Sequence, residues 1–177
     1  MVSNIELVAG GARGGKSRYA LQRAEQSGKN LIFIATAEAG DGSMADRIAR
    51  HKEERDEGWT LIEEPHDLAT IIANADTNEC LLIDCLTLWV SNWLCLEDAA
   101  QWPVQKNKFL DALKNTPATV IMVTNEVGMG IIPMGELSRQ FVDESGWLHQ
   151  AIAAIADEVV LVMFGIPQKM KTASMEV

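Results

Sequence analysis

Five short runs of apolar and β-branched residues recur along the chain: IELVA at 5–9, NLIFIAT at 30–36, CLLID at 80–84, ATVIMVT at 118–124 and DEVVLVM at 157–163. Each is continuous rather than alternating, the pattern of strands buried on both faces. Between them lie segments of helical periodicity at about 16–27, 43–57, 86–95, 103–114 and 136–156. Strand alternating with helix predicts an α/β layer fold around a mainly parallel sheet, although the order of pairing is not written in the pattern. The last stretch, KMKTASMEV, is polar without a period and predicts a frayed end. Trp89 and Trp93 stand four apart on one predicted helix and share a face, which favours a core or subunit contact over a ligand-stacking role.

The chain has 177 residues, 47% of them hydrophobic, enough for one ordinary core, and no repeat or Pro/Gly linker divides it, so a single domain over 1–177 is expected. No apolar run approaches the roughly 20 residues of a membrane span. Cys80, Cys85 and Cys95 are an odd count without metal-like spacing, which fits reduced thiols in a cytoplasm. A net charge of -10 argues against a general nucleic-acid binder, which needs a basic surface. It leaves room for a mononucleotide held by one local basic cluster and a divalent cation.

That cluster follows the first strand. GGARGGKS, residues 10–17, fits the pattern G-x-x-x-x-G-K-[ST] through Gly10, Gly15, Lys16 and Ser17, with a buried strand before it and a helix after it. Backbone N–H groups of Gly11, Ala12, Arg13 and Gly14 can wrap phosphate oxygens, and the helix start adds partial positive charge. Lys16 bridges the terminal phosphates, and Ser17 is suited to Mg2+. A carboxylate at another strand end should help to hold the metal, and Asp84 in LLIDCLT has that position.

A predicted helix beginning at Ser43 carries Arg47, His51 and Arg55 on one stripe at i, i+4 and i+8. The charge pattern alone reads as a solvated face, with Asp46, Arg50 and Glu54 as paired neighbours. Two flanking cations also disfavour imidazolium, which keeps His51 neutral and nucleophilic, and they can neutralise phosphate oxygens as charge develops. His66 and His149 lack such a setting and read as structural.

With these motifs in this order, the chain resembles the bifunctional adenosylcobinamide kinase / adenosylcobinamide-phosphate guanylyltransferase family, whose fold is a P-loop NTPase (RecA-like) three-layer arrangement. The resemblance runs from GGARGGKS through RIARHKEERDEGWTLIEEP, LLIDCLTLWVSN and VTNEVGMGIIP to ADEVVLV, GIP and a late lysine. It implies two reactions. The hydroxyl of adenosylcobinamide takes the γ-phosphoryl group of ATP or GTP; a histidine then attacks the α-phosphorus of GTP, and adenosylcobinamide phosphate takes the GMP. The family's nucleotidyl histidine carries over to His51. By the same matching Ala35, Thr36 and Ala37, then Lys52, Glu53, Glu54 and Arg55, look like nucleotide contacts. Glu63 does too, where a carboxylate can accept from guanine N1–H and the N2 amine. Two departures stand out: Arg50 occupies a position where some relatives carry a second histidine, and His149 one where they tend to have asparagine. Asn125 and Glu126, after the fourth run, are candidates for contact with substrate or with water near the metal. The resemblance also implies a cytoplasmic homotrimer. Two narrower readings stay open: a small-molecule kinase in which His51 is inert, and a nucleotide-dependent switch ATPase, the latter disfavoured because Cys85, not glutamate, follows Asp84.

Overall fold

A computed structural model describes residues 5–37, 58–96 and 99–172. The helix expected at 43–57, with His51, lies outside them. The strands are β1 (Ile5–Gly10), β2 (Asn30–Ala35), β3 (Trp59–Glu63), β4 (Glu79–Asp84), β5 (Thr119–Asn125), β6 (Glu158–Met163) and β7 (Ile166–Lys171). The helices are α1 (Lys16–Glu25), α2 (Leu68–Asn74), α3 (Leu86–Leu94), α4 (Trp102–Asn115) and α5 (Glu136–Ile155), with a 3-10 turn at Ala99–Gln101 before α4. One seven-stranded sheet runs β3-β2-β4-β5-β1-β6-β7. All neighbours are parallel except the β6–β7 pair.

The continuous apolar runs are explained by layers on both faces. Ile5, Leu7, Ile34, Leu81, Ile83, Val120 and Met122 point to one side and pack with Leu68, Leu86, Trp89, Phe109, Leu148 and Ile152 of α2–α5. Val8, Phe33, Leu82, Ile121, Val123 and Val160 point to the other, against Ala20 and Ala24 of α1. The side-chain period of two sends successive residues of each strand to opposite cores, so no face tolerates polar alternation. The three-layer α/β expectation is met. Trp89 and Trp93 are core residues, 1% and 7% exposed, and both indole N–H groups donate to the His66 carbonyl, at 2.7 and 3.2 Å.

Two buried strand carboxylates, Glu6 and Glu158, break the apolar rule. Glu6 in β1 is fully buried beneath α1, where Arg23 Nε donates to its two carboxylate oxygens at 3.3 and 3.0 Å and Tyr19 Oη at 3.1 Å. The same guanidinium reaches Glu158 of β6 at 3.3 Å, and Lys169 of β7 reaches that glutamate at 2.6 Å.

The polar C-terminal stretch does not fray at its start. Lys169–Lys171 belong to β7, turned back through Phe164 and Gly165, both at positive φ (55° and 77°), the geometry that suits a two-residue hairpin. Lys171 Nζ donates to the Ala153 carbonyl at the end of α5, at 2.8 Å. A strand with a proline and two lysines is what an exposed sheet edge accepts.

Candidate nucleotide-binding site

Parallel strands bring their C-terminal ends to one edge, and the register lines up the expected site residues there. Ala35 stands opposite both Glu63 and Asp84, Asp84 opposite Val123, and Gly10 opposite Asn125. The loop 11–15 rises from the end of β1 into α1. Gly10 (φ 153°) lies so close to β6 that a Cβ there would stand 2.3 Å from the Val162 carbonyl oxygen. Gly15, the N-cap of α1, has φ 98°, and a Cβ on it would meet Gly165 Cα at 2.9 Å. These two glycines are demanded by backbone approach as well as by the turn. The hairpin that supplies Gly165 also donates its N–H to the Gly14 carbonyl at 2.9 Å. The apolar sequence around Gly165 gave no sign of this contact.

No side chain caps the first turn of α1, which leaves its N–H groups directed at the space over the loop, the arrangement that binds phosphate. Gly11, Ala12 and Arg13 are exposed there. Lys16 is 7% exposed and its ammonium donates to the Gly11 carbonyl at 2.7 Å, folded over the loop it belongs to. Burial lowers its pKa, partly offset by the nearby Asp84 carboxylate. Phosphate oxygens would replace that carbonyl with a charged acceptor and recover the cost of burying the ammonium.

Ser17 Oγ donates to Asp84 Oδ2 at 2.7 Å, joining the start of α1 to the end of β4 across 67 residues of chain. Two hard oxygen donors meeting beside a phosphate loop fit Mg2+, which takes one or two protein oxygens and fills its other positions with phosphate and water. The turn carrying Asp84 is clamped. Thr36 Oγ1 donates to the Cys85 carbonyl at 2.7 Å and accepts from the Cys85 N–H at 2.9 Å. Asn92 Nδ2 of α3 donates to the Thr36 and Pro65 carbonyls at 2.7 and 3.0 Å.

Ala35 and Thr36 are buried, 4% and 0% exposed, so Thr36 serves the Asp84 turn through its hydroxyl; Ala37 is half-buried. Glu63 is exposed at the end of β3, the outermost strand, four strand positions from the loop. The structure thus brings Lys16, Ser17, Asp84 and Thr36 together and leaves Glu63 at the far end of the same edge. His51 and Lys52, Glu53, Glu54 and Arg55 lie outside the described residues. Sequence reasoning missed Asn92, whose only sign was an amide nearly two turns along a mostly apolar helix. It also missed Thr87, in the first turn of α3, and Thr124, near the end of β5, where ordinary β-propensity explains a threonine equally well.

Asn125 and Glu126 occupy the gap between the loop and Asp84. The Glu126 N–H donates to the Gly10 carbonyl at 3.0 Å, and its carboxylate accepts from the N–H groups of Gly128 and Met129 at 2.7 and 3.0 Å. Glu126 is therefore occupied in shaping the loop that follows β5.

The chain's fold is similar to that of the RadB recombinase (TM-score 0.52, 15% identity, covering 90% of this chain and 74% of that one). It is also similar to the flagellar accessory protein FlaH from Methanocaldococcus jannaschii (TM-score 0.51, 10% identity, 96% and 78%). At such identities the likeness concerns the fold alone. In sequence, the chain is 46% identical over 167 residues to the bifunctional adenosylcobalamin biosynthesis protein CobP of Pseudomonas aeruginosa, covering 94% of this chain and 96% of that protein. It is 39% identical over 179 residues to the corresponding protein CobU of Escherichia coli K12, covering 93% and 98%. Residues 6–170 match the family model described as cobinamide kinase / cobinamide phosphate guanyltransferase, and the chain belongs to that family.

Proposed function

We propose that this chain phosphorylates adenosylcobinamide with ATP or GTP and then, through a guanylylated His51, transfers GMP from GTP to adenosylcobinamide phosphate. The observation that carries the kinase half is the 2.7 Å contact between Ser17 and Asp84 beside the Lys16 loop, in a chain of this family. For phosphoryl transfer the protein's work is positioning and charge. The loop N–H groups and α1 hold the phosphates, Lys16 neutralises charge on the terminal one, and Ser17 with Asp84 would hold Mg2+. Mg2+ held by Ser17 and Asp84 would offset the negative charge of the phosphate oxygens. Glu63 is the guanine-reading residue in this proposal: four strand spacings, roughly 19 Å, separate it from the loop strand, so phosphate and base occupy opposite ends of one crevice. An exposed carboxylate there can accept both guanine donors, which adenine lacks.

The guanylyl step forms a bond from an imidazole nitrogen of His51 to the α-phosphorus and breaks the bond to the β-phosphate oxygen, releasing pyrophosphate. The phosphate of adenosylcobinamide phosphate then displaces the histidine. Covalent catalysis of this kind splits one hard transfer into two easier ones. We further propose that one domain carries both reactions in the cytoplasm and that the chain self-associates, as a trimer. Exposed apolar side chains support association: Phe164 and Ile166 on the β6–β7 hairpin are 91% and 67% exposed, and Ile131 and Met134 are 99% and 95% exposed.

The test is incubation with α-labelled GTP and Mg2+, followed by recovery of acid-labile, base-stable label on the chain. Label on wild type and none on His51→Ala is expected. Label persisting in His51→Ala would remove His51 from the mechanism, and phosphorylation without any label would leave a kinase alone. Light scattering of the native protein reads the oligomer, and a monomer mass would refute the trimer.

A further inference from the structure

His149 was read from sequence as a structural histidine, yet its ring nitrogen Nε2 lies 2.8 Å from Thr124 Oγ1. Thr124 Oγ1 in turn lies 3.4 Å from Thr87 Oγ1, and Thr87 Oγ1 accepts the backbone N–H of Asn125 at 2.7 Å. These groups come from three elements. His149 is on α5, Thr124 and Asn125 end β5, and Thr87 sits in the first turn of α3, three residues after Asp84. Their position is what gives the contacts meaning: Thr124–Glu126 lies between the phosphate loop and Asp84, bonded to Gly10 on one side and to Thr87 on the other.

We propose that His149 is a positioning residue for phosphoryl transfer, fixing the Thr124–Glu126 segment beside the terminal phosphate through a chain of hydroxyls. The inference rests on the kinase reading above. With His149 Nε2 as the acceptor, the chain runs in one direction. Thr87 Oγ1 accepts from Asn125 N–H, its own proton goes to Thr124 Oγ1, and the Thr124 proton goes to Nε2 of a neutral imidazole. Each hydroxyl then donates once and accepts once, and the unprotonated nitrogen ends the series. Burial lowers the pKa of His149 and so favours that neutral form, with Glu126 acting in the opposite sense. An alanine in place of His149 leaves the Thr124 proton without an acceptor in a fully buried residue, and the hydroxyls are free to rotate away from Asn125. Asparagine can present an amide oxygen to the same proton, so it should keep the chain intact.

The experiment measures phosphorylation of adenosylcobinamide by wild type, His149→Ala, His149→Asn, Thr87→Val and the double variant His149→Ala/Thr87→Val, with a thermal melt of each. Loss of an oriented group at this distance from the chemistry should lower kcat by about tenfold in His149→Ala while KM for ATP changes by less than about twofold. His149→Asn should return to within about threefold of wild type. The double variant should be no worse than the poorer single one, because both break the same chain. Multiplying losses in the double variant would overturn the proposal, as would a kcat for His149→Ala equal to wild type. So would equal kcat losses in the Asn and Ala variants that track their melting temperatures, which is what a purely structural histidine predicts. A wild type that does not phosphorylate the substrate at all would instead overturn the kinase reading itself.

Discussion

Replacing Arg23 with methionine tests how α1, the helix that follows the phosphate loop, is held. Arg23 is near the far end of α1, and its guanidinium lies between Glu6, fully buried in β1, and Glu158, 6% exposed in β6. Lys169 still serves Glu158 in the variant, but Glu6 keeps only the Tyr19 hydroxyl. Burial already pushes the Glu6 carboxyl above its ordinary value, and Arg23 is the main influence pulling it back. Breaking a buried pair from one side costs about 3–5 kcal/mol, because the remaining charge has neither partner nor water. For a chain of this size a kcal/mol moves the melting temperature by about 2–4 °C, so a fall of roughly 6–20 °C at pH 8 is expected. The pH dependence gives a second reading. An acid whose folded pKa lies above its unfolded value binds its proton more tightly when folded. Its stabilising contribution is then present at low pH and lost as pH rises through the folded pKa. Arg23→Met raises the Glu6 pKa further, so urea melts should show the variant losing more stability than wild type between pH 5 and pH 8. The double variant Arg23→Met/Glu6→Met, which leaves Glu158 paired with Lys169 and no unpartnered carboxylate at that site, should regain most of the loss. A single variant within about 1 kcal/mol of wild type at both pH values would refute the reasoning, since only a surface ion pair is worth so little.

Gly15→Ala imposes a Cβ at φ 98° and within 2.9 Å of Gly165 Cα. The left-handed backbone alone costs about 1–2 kcal/mol, so a lower melting temperature and weakened nucleotide binding by calorimetry are expected; unchanged binding would show that the β6–β7 hairpin yields. Of the three thiols, Cys80 and Cys85 are buried and pushed up to about 11, while Cys95 is exposed. Iodoacetamide on the native protein at pH 7.5 should therefore modify Cys95 alone by mass spectrometry, and rapid labelling of Cys85 would contradict the closed Asp84 turn. His149 has its folded pKa lowered, so the unfolded chain binds its proton more readily and stability is lost as pH falls below about 6.5 towards the folded value. His149→Asn should remove that part of the acid sensitivity in thermal melts from pH 7 to pH 5, and an unaltered slope would show that the ring is not held neutral.

The five buried strands, four of the helices and the phosphate loop were legible because each announces itself within a dozen residues. Continuous β-branched runs need cover on both faces, and G-x-x-x-x-G-K-S after such a run has few other uses. The elements that escaped are those whose character comes from elsewhere in the chain. α2 is seven residues long, too short for a helical period to stand out, and its start is set by Asp67 accepting the Thr70 N–H at 3.2 Å. β7 is polar because it is an edge strand, and its lysines are spoken for by Glu158 and by the Ala153 carbonyl. Glu6 looked like an ordinary strand residue; nothing local foretold that Arg23, 17 positions on, would enter the sheet to meet it.

The site divides in the same way, and the division has a physical origin. Lys16 and Ser17 are adjacent and could be named from one motif, whereas the function of Asp84 depends on register: β4 must end level with β2 and β5 for its carboxylate to meet Ser17. Thr36, Asn92, Thr87 and Thr124 contribute nothing a motif could detect, since each acts on a backbone group or hydroxyl that a parallel sheet alone brings within reach. The crossover order explains why such groups are needed. β5 separates the loop strand β1 from the carboxylate strand β4, so no ladder hydrogen bonds join them and the Ser17–Asp84 contact alone spans the gap from the loop side. Threonine hydroxyls, Thr36 just after β2 on one side and Thr87 of α3 with Thr124 of β5 on the other, add to that bracing. A chain that places its phosphate loop and Asp84 on non-adjacent strands must support the gap between them, and the residues doing so are the ones least visible before the strands are paired.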